Sequence, residues 1–294
     1  MKNKEYDEFG PWVLEINHIE DVPKLFKPHC LEIENVLLLL KIPRNIERRN
    51  ANPDMNLYDY VLAVYEDHLL ILKRESDAVE IIEIKFKDII AIRNSMDLLN
   101  GVVTLYLCEK IISFNYSTVS IDIIKKFLKL IRERFTGNRK FIIKNALDNI
   151  LTKDIDELYH NILEDFQKAK DEFKVLAVQP TIKAIPFYTS RIKKILGLFN
   201  IFRRNSLQNI MFLTNEKELL IVTRGKTFRR PKAAFYSYDL TYIPIGRITN
   251  LRYDANDEYK NISPFFIETG DHIFQYYFEE SNNQGDYLRQ LLQL

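Results

Sequence analysis

The stretch Tyr65-Glu66-Asp67-His68-Leu69-Leu70-Ile71-Leu72-Lys73-Arg74 has a counterpart 150 residues downstream, Asn215-Glu216-Lys217-Glu218-Leu219-Leu220-Ile221-Val222-Thr223-Arg224. Further on, Ile84-Lys85-Phe86-Lys87-Asp88-Ile89 matches Ile243-Pro244-Ile245-Gly246-Arg247-Ile248, and Ile92-Arg93 matches Leu251-Arg252, now at an offset of 159. Upstream, Asn45-Ile46-Glu47-Arg48-Arg49-Asn50 and Asn200-Ile201-Phe202-Arg203-Arg204-Asn205 share five of six residues. Three matches in the same order predict an internal repeat, with nine residues gained by the second copy between its two later matches.

Each copy reads as short strands closed by a helix. Ile82, Ile84 and Phe86 alternate with Glu83, Lys85 and Lys87, as do Ile112, Phe114 and Tyr116 with Ser113 and Asn115, which is the period of a half-buried strand. Asn100-Gly101 reads as a turn before Val102 to Cys108. Ile121, Ile124, Phe127, Leu128 and Ile131 then recur at helical spacing, and Thr136-Gly137-Asn138 supplies a stop. Strands are expected near 35–42, 58–65, 68–74, 79–86, 88–94, 102–108 and 110–116, with a helix near 118–135. In the second copy they are expected near 190–199, 208–214, 217–223, 234–243, 245–253, 262–269 and 272–278, with a helix from about Asn282 to Leu294.

Between the copies, Asp154 and Glu157 have capping-box spacing, and Ile155, Leu158, Tyr159, Ile162, Leu163 and Phe166 form one apolar stripe. The expected organisation is a first unit over 11–135, a helical connector over 136–176 and a second unit over 177–294. The connector stripe must cover something, either the β units or a partner protein.

Composition excludes several classes. A chain that is 46% hydrophobic and 28% charged, with a formal charge of +1, is globular and carries no global attraction to nucleic acid. Cys30 and Cys108 lie in or beside apolar segments and read as reduced core thiols. The N-terminal residues are charged, and the longest aliphatic run, Val36 to Leu40, is far shorter than the roughly 20 residues of a membrane span. A cytoplasmic protein is expected, or one peripheral to the inner face of a membrane. No glycine-rich phosphate loop, Gly-x-Ser-x-Gly elbow or metal-ligand spacing among the five histidines is present, so catalytic residues, metal and cofactor are all expected to be none.

Seven strands and a closing helix resemble the pleckstrin-homology-like superfold, which includes bacterial pleckstrin-homology and GRAM-type domains. Asp67-His68-Leu69-Leu70-Ile71 is similar to the second or third strand of the bacterial domains, and the pair of segments at Ile84 and Ile243 is similar to their "isoleucine, proline, apolar, x, x, isoleucine" segment. The resemblance covers roughly 35–135 and 190–294. It implies two seven-stranded β-barrel or sandwich units in an α+β fold, each with a C-terminal capping helix. In eukaryotic members that helix carries a tryptophan; here Phe127 and Tyr287 take its place, and the single tryptophan is Trp12. The resemblance further implies a binding scaffold for acidic lipids, peptides or partner domains.

Charge marks a candidate site. From Pro180 to Phe235 there are twelve basic and two acidic residues, while Tyr236 to Leu294 carries a net −5. In the resembled fold, the loops after strands one and three share one open end. In the second copy these loops hold Arg203 and Arg204, then Arg224, Lys226, Arg229, Arg230 and Lys232, whereas Arg74-Glu75-Ser76-Asp77 in the first copy has no basic excess. Several guanidinium and ammonium groups together favour phosphate or carboxylate. Phe228 among them suggests an apolar tip for a bilayer surface. Three readings remain open: a solvated loop, a site for an acidic lipid headgroup or other anion, and contact with an acidic protein partner. Glu268 and Asp271 would place negative charge near the same end. The expected function is a non-enzymatic binding module recruiting an anionic ligand or membrane surface; the alternative is a protein-interaction or assembly scaffold without lipid ligand.

Overall fold

A computed structural model describes residues 4–29, 35–137, 156–169, 171–187, 205–229, 236–280 and Leu288. The chain divides into two compact units, Met1–Ile89 with Leu98–Gly137, and Ile90–Asp97 with Asn138–Leu294.

Unit 1 contains an antiparallel sheet in the order β1-β2-β3-β4-β5, formed by Leu14–Glu15, Leu38–Pro43, Tyr58–Val64, His68–Glu75 and Ala78–Lys85. Strand β2 (Leu-Leu-Leu-Lys-Ile-Pro) is buried along nearly its whole length, so both its faces need cover. One face is covered by Phe9, Ile16, Val22 and Phe26, which pack with Leu39, Tyr58, Val61, Ala63 and Leu72. Residues before position 30 are thus part of this core, although the strand pattern of the sequence begins only at 35. Lys41 lies on β2 with its side chain 3% exposed, a position that would be costly without partners. It donates to Glu8 Oε2 at 3.0 Å and to the Asp21 carbonyl at 3.1 Å, and it sits 5.1 Å from the Tyr58 ring centroid.

A hairpin of β7 (Asn100–Leu107) and β8 (Ile111–Ser117) completes the strands of unit 1. Helix α2 (Ile121–Phe135) follows, burying Ile124, Phe127, Leu128, Ile131 and Phe135. Phe127 meets the Phe114 ring edge-on at 5.9 Å. Past Thr136, Gly137 adopts φ +64°, the left-handed stop that its position predicts. Asn100-Gly101 is not the turn that the sequence suggests. The turn comes earlier, with Leu98 at φ +51°, and Gly101 sits inside β7 opposite Tyr116. A Cβ at Gly101 would land in the Tyr116 ring, so the glycine answers a close approach and not a reversal of the chain.

The strand expected near 88–94 exists as β6 (Ile89–Asp97), but its pairing overturns the two-barrel expectation. Ile92 to Met96 of β6 pair antiparallel with Tyr242 to Tyr238 of β15 (Tyr238–Pro244), deep in the second half of the sequence. Unit 2 therefore contains the row β6-β15-β13-β12-β9, where β13 is Glu218–Arg224, β12 is Ile210–Thr214 and β9 is Lys174–Gln179. Two small three-stranded sheets join it. One is β10-β11-β14 (Ile182–Lys183, Ser206–Leu207, Phe228–Arg229) and the other β16-β17-β18 (Asn250–Tyr253, Ile262–Glu268, Ile273–Glu279).

The fold is thus a set of antiparallel sheets with three α-helices among the described residues, α1 (Lys4–Glu8), α2 and α3 (Glu157–Lys168). It is not a pair of seven-stranded pleckstrin-homology-like units each closed by its own helix. The physical reason lies in β6. Ile89, Ile90, Ala91 and Ile92 are all buried, and a strand buried on successive residues belongs inside a sheet. The repeat specifies such a strand without specifying which apolar strand will pair with it. The second closing helix falls outside the described residues except for Leu288, which is helical and buried, and the strand expected over 190–199 is also outside them. Cys108 is exposed, contrary to its expected place in the core.

The local matches of the repeat do have structural counterparts. In both halves the matched segment ends a strand and makes one 3-10 turn, Phe86–Asp88 and Ile245–Arg247. The Phe86 amide donates to the Asp67 carbonyl, and the Ile245 amide donates to the equivalent Lys217 carbonyl.

Replacing Gly101 by alanine should destabilise unit 1 by about 1–3 kcal/mol, because Tyr116 is buried and has to be displaced. Urea unfolding would read the loss, and an unchanged midpoint would show that the ring moves aside freely.

Candidate functional site

Of the seven basic residues singled out by sequence, Arg203, Arg204, Arg230 and Lys232 lie outside the described residues. The other three are placed in unit 2. Arg224 ends β13, Lys226 is exposed in the turn that follows, and Arg229 is half-buried in β14. The short ladder between β11 and β14 pairs Ser206 with Arg229 and Leu207 with Phe228. Phe228 is not an apolar tip. Its ring stacks on Tyr259 at 4.9 Å and meets Tyr277 at 5.1 Å, beside a small core of Ala184, Leu207 and Ile262.

Arg224 also lines a cavity of about 230 Å³. Arg93 of β6 enters the same cavity, carried there by the ladder that sets Arg93 opposite Thr241 of β15. Its Nε donates to Thr241 Oγ1 at 3.2 Å, fixing the root of the guanidinium. The rest of the wall is mainly polar. Gln208 and Asn209 come from the link between β11 and β12, Thr223 and Thr227 from the arm around Arg224, and Gln275 from β18. Asp239 is the acidic residue of the lining. The volume lies below the roughly 300–1,000 Å³ of sites for drug-sized molecules and suits a small polar group.

Helix α3 closes on this arrangement through its N-terminus. The Asp156 side chain caps the helix, with Oδ1 accepting from the Leu158 amide at 2.9 Å, while Oδ2 accepts from Arg224 Nη2. The capping residue is thus Asp156, and Asp154 of the expected box is outside the described residues. One turn on, Tyr159 is fully buried and its hydroxyl donates to the Asn209 carbonyl at 2.6 Å. The Arg224 guanidinium lies 5.7 Å from the centre of the same ring. Burial pushes the Tyr159 phenol well above its ordinary range, so it stays protonated and remains a donor. One carboxylate and one phenol therefore hold Arg224 and the Asn209 carbonyl in place.

The acidic residues expected to oppose an anion are differently engaged. Glu268 Oε1 accepts from Arg252 Nε at 2.6 Å and Oε2 from Asn250 Nδ2 at 3.1 Å. The Arg252 hydrogen bond, followed by that from Asn250, lowers the Glu268 pKa. Neither Glu268 nor Asp271 lines the cavity.

Sequence reasoning found Arg224 but missed Arg93, Gln208 and Asn209. Arg93 was visible only as the repeat equivalent of Arg252, which is bound to Asp254 and Glu268 instead. Among the described residues no group of three or more His, Cys, Asp or Glu is arranged to hold a metal ion, and no helix is long and apolar enough to cross a membrane.

Tyr159→Phe tests the closure. Losing the hydroxyl leaves the Asn209 carbonyl without that donor, and the expected cost is about 1 kcal/mol in the stability of unit 2. Denaturant unfolding of the full chain, followed by hydrogen exchange at β12, would read it; equal stability would mean that the bond contributes nothing. No family model and no curated protein sequence matches this chain.

Proposed function

We propose that unit 2 is a non-enzymatic binding module that takes a small anionic group, a phosphate or a carboxylate, into the polar cavity beside Arg93. The observation that carries this reading is that one cavity is lined by Arg93, rooted at Thr241, together with Gln208, Thr223 and Gln275. Arg224 borders the same cavity, but the register turns its side chain to the opposite face of the sheet, where it meets Asp156. Amide and hydroxyl groups of Gln208, Thr223 and Gln275 in the same wall add neutral hydrogen-bonding capacity around an oxyanion. Lys226, exposed one turn beyond Arg224, adds long-range attraction. Asp239 offsets part of the positive charge, so the module would favour a ligand with defined geometry over diffuse polyanions such as nucleic acid. A phosphorylated lipid headgroup at an acidic membrane surface and an acidic protein side chain both fit this chemistry. The apolar stripe of the connector gives no separate support to an assembly role, because Tyr159 and Ile162 are already buried in unit 2.

Inorganic phosphate titrated into the full chain, and co-sedimentation with neutral or phosphatidylserine-containing vesicles, test the reading. Arg93→Gln should weaken phosphate binding about tenfold or more, the scale of one charged hydrogen bond. Arg224→Gln, whose side chain leaves the sheet on the other face, should change it little. Identical phosphate isotherms for the wild type and Arg93→Gln would refute the site. Vesicle binding lost in Arg93→Gln but kept in Arg224→Gln would assign the anion to a lipid.

A further inference from the structure

Strand register shows which side chains the cavity of unit 2 collects. Arg93 of β6 stands opposite Thr241 of β15, and Thr241 opposite Ile221 of β13. Two residues along, Ser95 stands opposite Asp239, Asp239 opposite Thr223, and Thr223 opposite Ile210 of β12. Residues directly opposite one another, and residues two apart on one strand, project from the same face. Arg93, Asp239, Thr223 and Ile210, the lining residues from these strands besides Arg224, therefore share one face. Phe212, paired with Ile221, lies on that face too, fully buried against Phe265, Tyr276 and Phe278. Tyr276 also lines the cavity, which thus sits where the polar end of this face meets its aromatic core.

Asp239 is out of place in a cavity that takes only an anion. A carboxylate in the wall repels an oxyanion, and more strongly in a partly buried site than in water. Nor does Asp239 close on Arg93. The Arg93 Nε is tied to Thr241 Oγ1 at 3.2 Å, and Thr241 is two residues, about 6–7 Å of strand, from Asp239. Among the described residues no hydrogen bond or ion pair engages the Asp239 carboxylate. A cation and an anion thus face one small cavity from the same side without bridging each other.

We propose that the ligand of this cavity is a small α-amino acid, its carboxylate taken by Arg93 and its ammonium by Asp239. The inference rests on the reading of the cavity as an anion site, and it narrows the anion to a carboxylate with a cation beside it. In an α-amino acid both charged groups sit on one carbon. With a charge-assisted hydrogen bond of about 2.8 Å at each end, the ligand spans a gap of the width that the ladder sets. The neutral wall supports both ends. Nε2 of Gln208 donates to the Ser206 carbonyl at 3.3 Å, and Nε2 of Gln275 to the Tyr277 hydroxyl at 2.7 Å. Each amide also presents Oε1, an acceptor that an oxyanion cannot use and an ammonium can. The Thr223 hydroxyl can donate to the carboxylate. A volume of about 230 Å³ leaves room for a short side chain, as in alanine or serine, against Ile210 and Tyr276.

Calorimetric titration of the full chain at neutral pH, with a metal chelator present, compares L-alanine with propionate, which lacks the ammonium, and ethylamine, which lacks the carboxylate. Alanine should bind at least tenfold more tightly than either, the scale of one charged hydrogen bond. Asp239→Asn should bring alanine down to the affinity of propionate while phosphate binding is kept or strengthened. Arg93→Gln should weaken alanine, propionate and phosphate together. The comparison of ligands is made on the wild type, so it stands whether or not the Asp239 variant folds. Alanine binding no tighter than propionate, with phosphate binding still dependent on Arg93, overturns the inference and leaves the anion site in place. A folded Asp239→Asn variant that binds alanine as the wild type does has the same consequence. Phosphate binding indifferent to Arg93→Gln overturns both.

Discussion

The ladder between β6 and β15 is the constraint on which unit 2 depends. Five residues, Ile92 to Met96, are bonded in register to Tyr242 to Tyr238, joining strands separated by more than a hundred residues of chain. Because register is fixed, so is the side of the strand from which each residue projects. Arg93 falls opposite Thr241 and is tied to its hydroxyl, and a shift of one residue would send the guanidinium to the other face. The candidate site is thus a product of strand pairing first and of charge second. Arg224, which borders the same cavity, ends β13 on the far side of β15, and there the register turns its side chain to the other face.

In both units a buried cation is held by named partners. Lys41 is tolerated in the core of unit 1 because Glu8, the Asp21 carbonyl and the Tyr58 ring surround it. Arg224 is held by Asp156 and stacked near Tyr159, whose hydroxyl in turn supports the loop at Asn209. Such support places functional groups on rigid strands, and it costs part of the positive charge that an anion would meet. Geometry, more than net charge, then decides what binds.

Local structure was largely legible in the sequence because periodicity reports one face of one element. The alternation at Ile82–Phe86 and Ile112–Tyr116, and the helical spacing from Ile121 to Ile131, correspond to β5, β8 and α2. What the sequence could not reveal was long-range pairing. Two similar halves offer several chemically equivalent partners for β6, and the burial of Ile89 to Ile92 is satisfied by any of them. The expectation of two self-contained barrels failed at that point. Arg93 was missed for the same reason, since nothing near it in sequence is basic enough to mark a site. Asn100-Gly101 misled because the signature of a turn and the signature of close packing are the same residue.

The central claim is that Arg93 grips an oxyanion in the polar cavity of unit 2. Tungstate, a heavy tetrahedral analogue of phosphate, can be located directly by its anomalous scattering in crystals of the full chain. The account predicts a single strong peak within hydrogen-bonding distance of the Arg93 guanidinium, absent from crystals of Arg93→Gln. Tungstate bound elsewhere, or no peak in this cavity at concentrations that saturate phosphate binding in solution, would contradict it.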